Sequence, residues 1–224
     1  MILPDGWFDW AERDPGPPDK RYTELCISEG VVFHSAVGYY RGWLSRLFSA
    51  ERLPNGRYSN YAAASVTGFI LFNGALKQHY PVNISCWASG SRYPNTHFNS
   101  FEQEGGYPDN RQPWTVQQTE TAIRVTKEIA VARQWTPRRP NSPQDVLATL
   151  YEHNECVRWG SAFTACPSGR DNWDAILRSF AMPTPEDQLK IIRVLQPDLT
   201  ATDLDILVAK LKYLFALAGK PWPQ

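Results

Sequence analysis

The sequence predicts an α/β fold: a central mixed β-sheet flanked by helices, followed by a C-terminal helical appendage. Two observations carry this. Short apolar β-type runs are interspersed with helix-patterned segments between residues 25 and 170, and such interleaving lays helices on the faces of a sheet. After Arg170 the pattern turns to helix alone. A chain of 224 residues can bury a full core and suits one domain plus an appendage better than two domains. The expected division is a leader over 1–24, the principal domain over 25–170 and the appendage over 171–224.

Taken in order, residues 11–20 are rich in Pro, Gly and Asp and predict a leader that wraps or dangles before the fold begins. "TELCISEGVVFHSA" gives short β-type runs, the second ending at His34. "YYRGWLSRLFSAERL" predicts a helix with Trp43, Leu44, Leu47 and Phe48 on one face. "SVTGFILFNGALKQHYPV" predicts a hairpin turning at Asn73-Gly74. "FNSFEQEGG" predicts a strand stopped by Gly105-Gly106. "WTVQQTETAIRVTKEIAVARQW" predicts a helix capped by Thr115, with Ile123, Val125, Ile129 and Ala130 on its apolar side. "SPQDVLATLYEH" predicts a helix capped at Ser142 that delivers His153 at its end. In the tail, "TPEDQLKIIRVL" and "TATDLDILVAKLKYLFALAGK" predict a helical hairpin ending at a Gly219 cap. The short connection "FAMPTPED" restricts its reach, which favours docking on the core or on a second chain over a free module; core docking and a monomer come first.

Basic and acidic residues balance at 23 each, so no global field points to nucleic acid or an anionic membrane as a partner. The N-terminus lacks a basic stretch followed by an apolar one, and no apolar run reaches the length of a membrane span. Four irregularly spaced cysteines do not form a disulfide framework. A reducing cytoplasm is the expected place of synthesis. Nine Trp and ten Tyr suit carbohydrate or other amphipathic ligands as well as a core.

The stretch "EHNECVRWGSAFTACPSGR" places His153 and Cys166 on either side of a Gly/Ser/Thr-rich turn. Both residue types bind borderline metals, and a third ligand is needed. His34, at the exit of the apolar strand "VVFHSA", can present its ring over a sheet edge. Three protein ligands with one open position are the design of a catalytic zinc site. Spacing alone leaves other groupings open, Cys156 being the most credible rival ligand. A closed structural site using Cys156 as the fourth ligand is a further alternative. His79 and His97 are expected on the surface or the rim of a cleft and not as ligands, and Cys26 in the core.

With these segments quoted, the chain resembles the zinc-dependent N-acetylmuramoyl-L-alanine amidases, the fold shared by phage endolysins and peptidoglycan recognition proteins. "VVFHSA" resembles the strand bearing the first zinc histidine. "SVTGFILFNGALKQHYPV" resembles the family's hairpin, and "CWASGSRYPNTHFNSFEQEGG" its Trp-containing loop, Asn and Glu-bearing strand. "WTVQQTETAIRV" resembles the Thr-x-x-Gln helix, and "EHNE" and "TACPSGR" the segments with the second histidine and the Cys-Pro ligand. The resemblance covers about residues 25–170. It implies Zn2+ on His34, His153 and Cys166, Glu102 as the acid/base residue, and Trp87 and Asn95 in the substrate cleft. It also implies peptidoglycan as the partner, with cleavage of the amide between N-acetylmuramic acid and L-alanine. A lytic phage enzyme, accumulating in the cytoplasm of the producing cell and acting on the wall after release, fits best.

Three departures stand out. Val66-Thr67 replace a frequent Tyr-His pair, Thr164 stands where many members have Lys, and the segment from His153 to Cys166 is longer than usual. The first two favour, as the alternative, a non-catalytic peptidoglycan-binding protein of the same fold; the third implies an expanded loop at the cleft. Thr164 could offer its hydroxyl to an oxyanion or only orient the loop. Glu102 and Glu104 alternate on one strand and point to one face; only the resemblance prefers Glu102. Trp87 is equally suited to stack on sugar or to pack in the core.

Overall fold

The computed structural model describes residues 1–106, 112–167, 169–170, 172–180 and 209. Met1–Ser179 form one compact unit. Its elements are β1 (Glu12–Arg13), β2 (Arg21–Leu25), β3 (Gly30–Ser35), α1 (Tyr40–Leu47), β4 (Gly68–Ile70), β5 (Leu76–Gln78), β6 (Ile84–Cys86), α2 (Arg92–His97), β7 (Phe98–Gln103), α3 (Val116–Arg133), β8 (Leu150–Glu152), a 3₁₀ helix (His153–Trp159) and α4 (Trp173–Phe180). The predicted α/β class with a mixed sheet is found. Six strands run in the order β1-β5-β4-β7-β3-β8, and β2 and β6 form a separate antiparallel pair.

β4, β7, β3 and β8 are mutually parallel, and β5 is antiparallel to β4. Every residue of β3 and β7 is buried, as expected of parallel strands covered on both faces. Period-two alternation then assigns the faces. Phe33 and Phe101 point to one side, where Phe33 meets Trp114 and Trp173 at centroid distances of 5.2 and 5.5 Å. His34 and Glu102 point to the other side, with Phe69 packed there against Trp43 and Leu47 of α1.

Local chemistry fixes the elements. The 2.8 Å bond from the Val31 N–H to the Thr149 carbonyl ties β3 to the entry of β8. A Cβ on Gly30 would stand 2.1 Å from that same carbonyl oxygen, so the close approach requires glycine. The β4–β5 hairpin turns at Asn73-Gly74, as expected, with Gly74 at φ 81°. Thr115 caps α3 in a reciprocal capping box with Gln118, and its hydroxyl donates to the Phe72 carbonyl at 2.7 Å. The leader wraps: Phe8 is buried, its N–H bonds the Gln78 side chain at 2.8 Å, and β1 adds to β5.

Several expectations are corrected. Residues 142–153 do not form a helix. Asp145 accepts the N–H groups of Asn141 and Leu147 and pairs with Arg138, which folds the segment into a turn. Leu150–Glu152 then pair with β3 as a strand, and His153 opens the 3₁₀ helix instead of ending an α-helix. Phe48 is exposed and Leu44 only half-buried, so the buried stripe of α1 narrows to Trp43 and Leu47. His79 is buried, not on a surface: Trp43 Nε1 donates to its Nε2 at 3.0 Å, and its Nδ1 lies 2.7 Å from the Asp14 carbonyl. His97 is half-buried and stacks on Tyr93 at 3.8 Å. The predicted helical hairpin of residues 184–220 lies outside the described residues, Ala209 excepted.

Candidate metal centre and cleft

The C-terminal ends of three adjacent parallel strands build the site. His34 is the fifth residue of β3, Glu102 is its register partner on β7, and His153 follows directly on β8. Crevices beyond the carboxyl ends of parallel strands are where α/β sheets bind ligands. The His34 and His153 rings lie 4.5 Å apart. Cys166 arrives on the loop after the 3₁₀ helix and is held by the residue following each histidine. The Ser35 N–H points at its Sγ (2.9 Å), and the Asn154 N–H donates to its carbonyl (2.8 Å).

Ligand atoms of His34, His153 and Cys166 all fall within 4.8 Å of one another, the arrangement of a group that could hold a metal ion. Among the described residues it is the one such group, and Cys156 is not part of it. The Cys156 thiol is instead buried against Val32, Phe98 and Tyr151. The donor set fits a cation. His34 Nε2 is buried without a hydrogen-bond partner among the described residues. Burial pulls the His34 pKa well down and that of His153 to about 4, nearby charges adding to the effect. Both rings are therefore neutral, the form that ligates metals. Burial pushes the Cys166 thiol up, and a bound dication is what would favour its thiolate.

Glu102 Oε2 is also buried without a partner among the described residues. Burial raises this carboxyl to about 7, against the opposing pull of Arg46 and Arg170. Glu104 differs entirely. Its two carboxylate oxygens accept the N–H groups of Tyr40 and Phe72 at 3.0 and 2.9 Å, so it clamps loops beside the sheet. The two glutamates, alike in pattern, thus differ in their surroundings.

His34, Glu102, His153 and Cys166 line a cleft of about 1200 Å³. Trp87 and Asn95 lie in its wall. Trp87 is half-buried, with Tyr22 and Tyr58 at centroid distances of 6.3 and 5.9 Å. Asn95 Oδ1 accepts the N–H groups of Ala88 and Ser89 at 3.1 and 2.7 Å, which fixes the loop carrying Trp87. Thr164 lines the cleft too, and its Oγ1 accepts the Cys166 N–H at 3.2 Å.

Two arginines carry no clear sequence signal. Arg46 of α1 lines the cleft, anchored through Nε on the Tyr61 carbonyl at 2.9 Å; its place three residues after Trp43 on the same helix is the one hint of it. Arg170 is 1 % exposed. It donates to Ser35 Oγ, the Glu104 carbonyl and the Gln112 carbonyl at 2.6, 2.7 and 2.5 Å. It therefore ties β3, the exit of β7 and the approach to α3 together next to the candidate ligands. Nothing but its nearness to Cys166 in sequence announces it.

Fold and site thus define an α/β sheet with three residues that could hold a cation, and a buried carboxyl, at the C-terminal ends of its strands. No family model and no curated protein sequence matches the chain. Solved structures do. An AmpD selenomethionine derivative aligns with TM-score 0.54 and 21% identity over 81% of this chain and 100% of that one. A mutant endolysin from Bacillus subtilis aligns at 0.51 and 15% over 76% and 98%. The N-acetylmuramoyl-L-alanine amidase LysC from Clostridium intestinale aligns at 0.49 and 15% over 74% and 93%. The chain shares the fold of the first two. Among its described residues no helix is long and apolar enough to cross a membrane.

Proposed function

We propose that this chain is a zinc-dependent hydrolase of peptidoglycan. It cleaves the amide between N-acetylmuramic acid and L-alanine and acts as a phage endolysin in host-cell lysis. The observation that carries the reading is the convergence of His34, His153 and Cys166 at the floor of a cleft, with the unpartnered Glu102 carboxyl oxygen beside them. The endolysin fold and the resemblance of residues 25–170 to the zinc amidases supply the substrate.

Zinc, when bound by His34, His153 and Cys166, supplies Lewis acidity toward an amide carbonyl and water. Glu102 handles the protons. A carboxyl with its pKa near 7 is matched to accepting a proton from the attacking water at Oε2 and returning it to the leaving amine. Thr164 uses its oxygen to accept the Cys166 N–H, which leaves its hydroxyl proton for the developing oxyanion. Trp87 offers an aromatic face to a sugar ring, and Asn95 holds the wall in which that face stands. Arg46 and Arg170 keep the site's potential positive enough to hold a carboxylate without pairing with it.

Val66 lines the cleft at the position where the resembling family often has Tyr. This apolar replacement favours the second reading, a peptidoglycan-binding protein that does not cleave. Purified protein should carry one zinc per chain by elemental analysis. Chelation should stop the release of soluble fragments from peptidoglycan, and added zinc should restore it. Binding to peptidoglycan with no release under any condition establishes the second reading; absence of zinc and of binding removes both.

A further inference from the structure

Beside the cleft lies a second groove of about 670 Å³, between the Pro140–Pro143 turn and the 3₁₀ helix. Its volume falls in the range of roughly 300–1,000 Å³ usual for ligand sites. The two cavities share one ridge: Phe163 and Thr164 line both. Phe163 is 87 % exposed, a large aromatic ring held in solvent on the loop that leads to Cys166. Packing does not account for it.

We propose that this groove is a subsite for the glycan strand of polymeric peptidoglycan, with Phe163 as the ring on which a sugar stacks as the strand crosses from the cleft. The proposal rests on the amidase reading and deepens it by giving the polymer's glycan strand a subsite of its own. Two arguments favour glycan over peptide. First, the scissile amide hangs from a sugar inside the strand, so neighbouring sugars must leave the cleft along a continuous surface, and the shared ridge provides one. Second, the groove carries less charge than the cleft. In the cleft, Arg21, Arg46, Arg52 and Arg57 outnumber the carboxylates of Asp19 and Glu102, which suits the acidic peptide. In the groove, Glu155 is paired with Arg139 at 2.8 Å, and Arg158 donates to the carbonyls of Glu155 and Asp145. Among the described residues Arg158 is then the one lining cation left, beside the uncharged Asn141, Ser142 and the prolines. Uncharged, N-acetylated sugar rings match amide and hydroxyl groups beside an aromatic face.

The test compares hydrolysis of long, uncrosslinked glycan–peptide strands with hydrolysis of the monomeric disaccharide-peptide, for the full chain and for Phe163→Ala and Phe163→Tyr. The native chain should prefer the strands. Phe163→Ala should lower that preference about tenfold, the scale of one lost aromatic stacking contact. The loss should lie in the KM for strands and not in kcat, and Phe163→Tyr should keep the preference. Because the ring is exposed, the thermal midpoint should not move. Equal loss on both substrates, or no loss on either, overturns the glycan subsite while leaving the amidase reading intact. Failure of the native chain to cleave either substrate overturns both.

Discussion

Glu102 stands directly opposite His34 in the register of two parallel strands, β7 and β3. Parallel register places their side chains on one face, so the buried carboxyl and the buried imidazole reach the same end of the cleft. With His153 one residue beyond β8, the chemistry is held by sheet pairing and not by flexible loops alone. Only Cys166 comes from a loop, and the N–H of Ser35 anchors it.

This arrangement separates the two glutamates experimentally. Glu102→Gln should leave zinc content and thermal midpoint unchanged while lowering turnover by about a hundredfold or more, the scale of a general acid/base. Glu104→Gln should instead lower the thermal midpoint, since its carboxylate caps Tyr40 and Phe72. Turnover measured beside thermal melts decides; a reversed pattern contradicts both roles.

Arg170 is predicted to hold the fold together as well as to set the potential at Glu102. Removing a buried guanidinium that satisfies several acceptors should cost about 3 kcal/mol or more. Denaturant unfolding of Arg170→Ala measures it. A loss under about 1 kcal/mol would show that the acceptors find water.

Thr115→Ala removes both the cap of α3 and the bond to the Phe72 carbonyl. The expected cost is about 1–2 kcal/mol. Thr115→Ser should recover most of it in the same unfolding experiment.

Acid should weaken the 138–145 turn. The Arg138 guanidinium and the N–H groups of Asn141 and Leu147 hold the Asp145 carboxyl well below the usual carboxylate range. Its folded pKa is depressed, so its contribution is complete above the ordinary carboxylate pKa of about 4 and is lost as pH falls further. The midpoint gap between the native chain and Asp145→Asn should be constant above about pH 5 and shrink below about pH 4. A gap that grows on acidification contradicts the pairing.

The sequence is most legible where local chemistry and tertiary packing agree. Thr115 and Gln118 spell a helix start, Asn73-Gly74 spells a hairpin, and β3 is apolar enough to sit in the middle of a sheet. It misleads at residues 142–153, where helix-compatible spacing is overridden by the Asp145 turn and by strand pairing to β3. It misleads again at His79, whose burial depends on two partners distant in sequence, Asp14 and Trp43. Glu102 and Glu104 are indistinguishable by pattern, because what separates them is the clamp Glu104 forms with Tyr40 and Phe72. Spacing alone does not single out the three candidate ligands; the resemblance does. Arg46 and Arg170 are only faintly marked in the sequence because charge at a site is assembled by tertiary structure.

Whether the chain hydrolyses the muramoyl–alanine amide with zinc is answered by digesting purified peptidoglycan and reading the new termini by mass spectrometry, with and without chelator. A zinc amidase leaves intact stem peptides with free L-alanine amino termini and glycan strands with free muramic carboxyl groups, and shows no release in chelator until zinc is restored. New reducing sugar ends, new ends within the peptide, or release indifferent to chelator would contradict it.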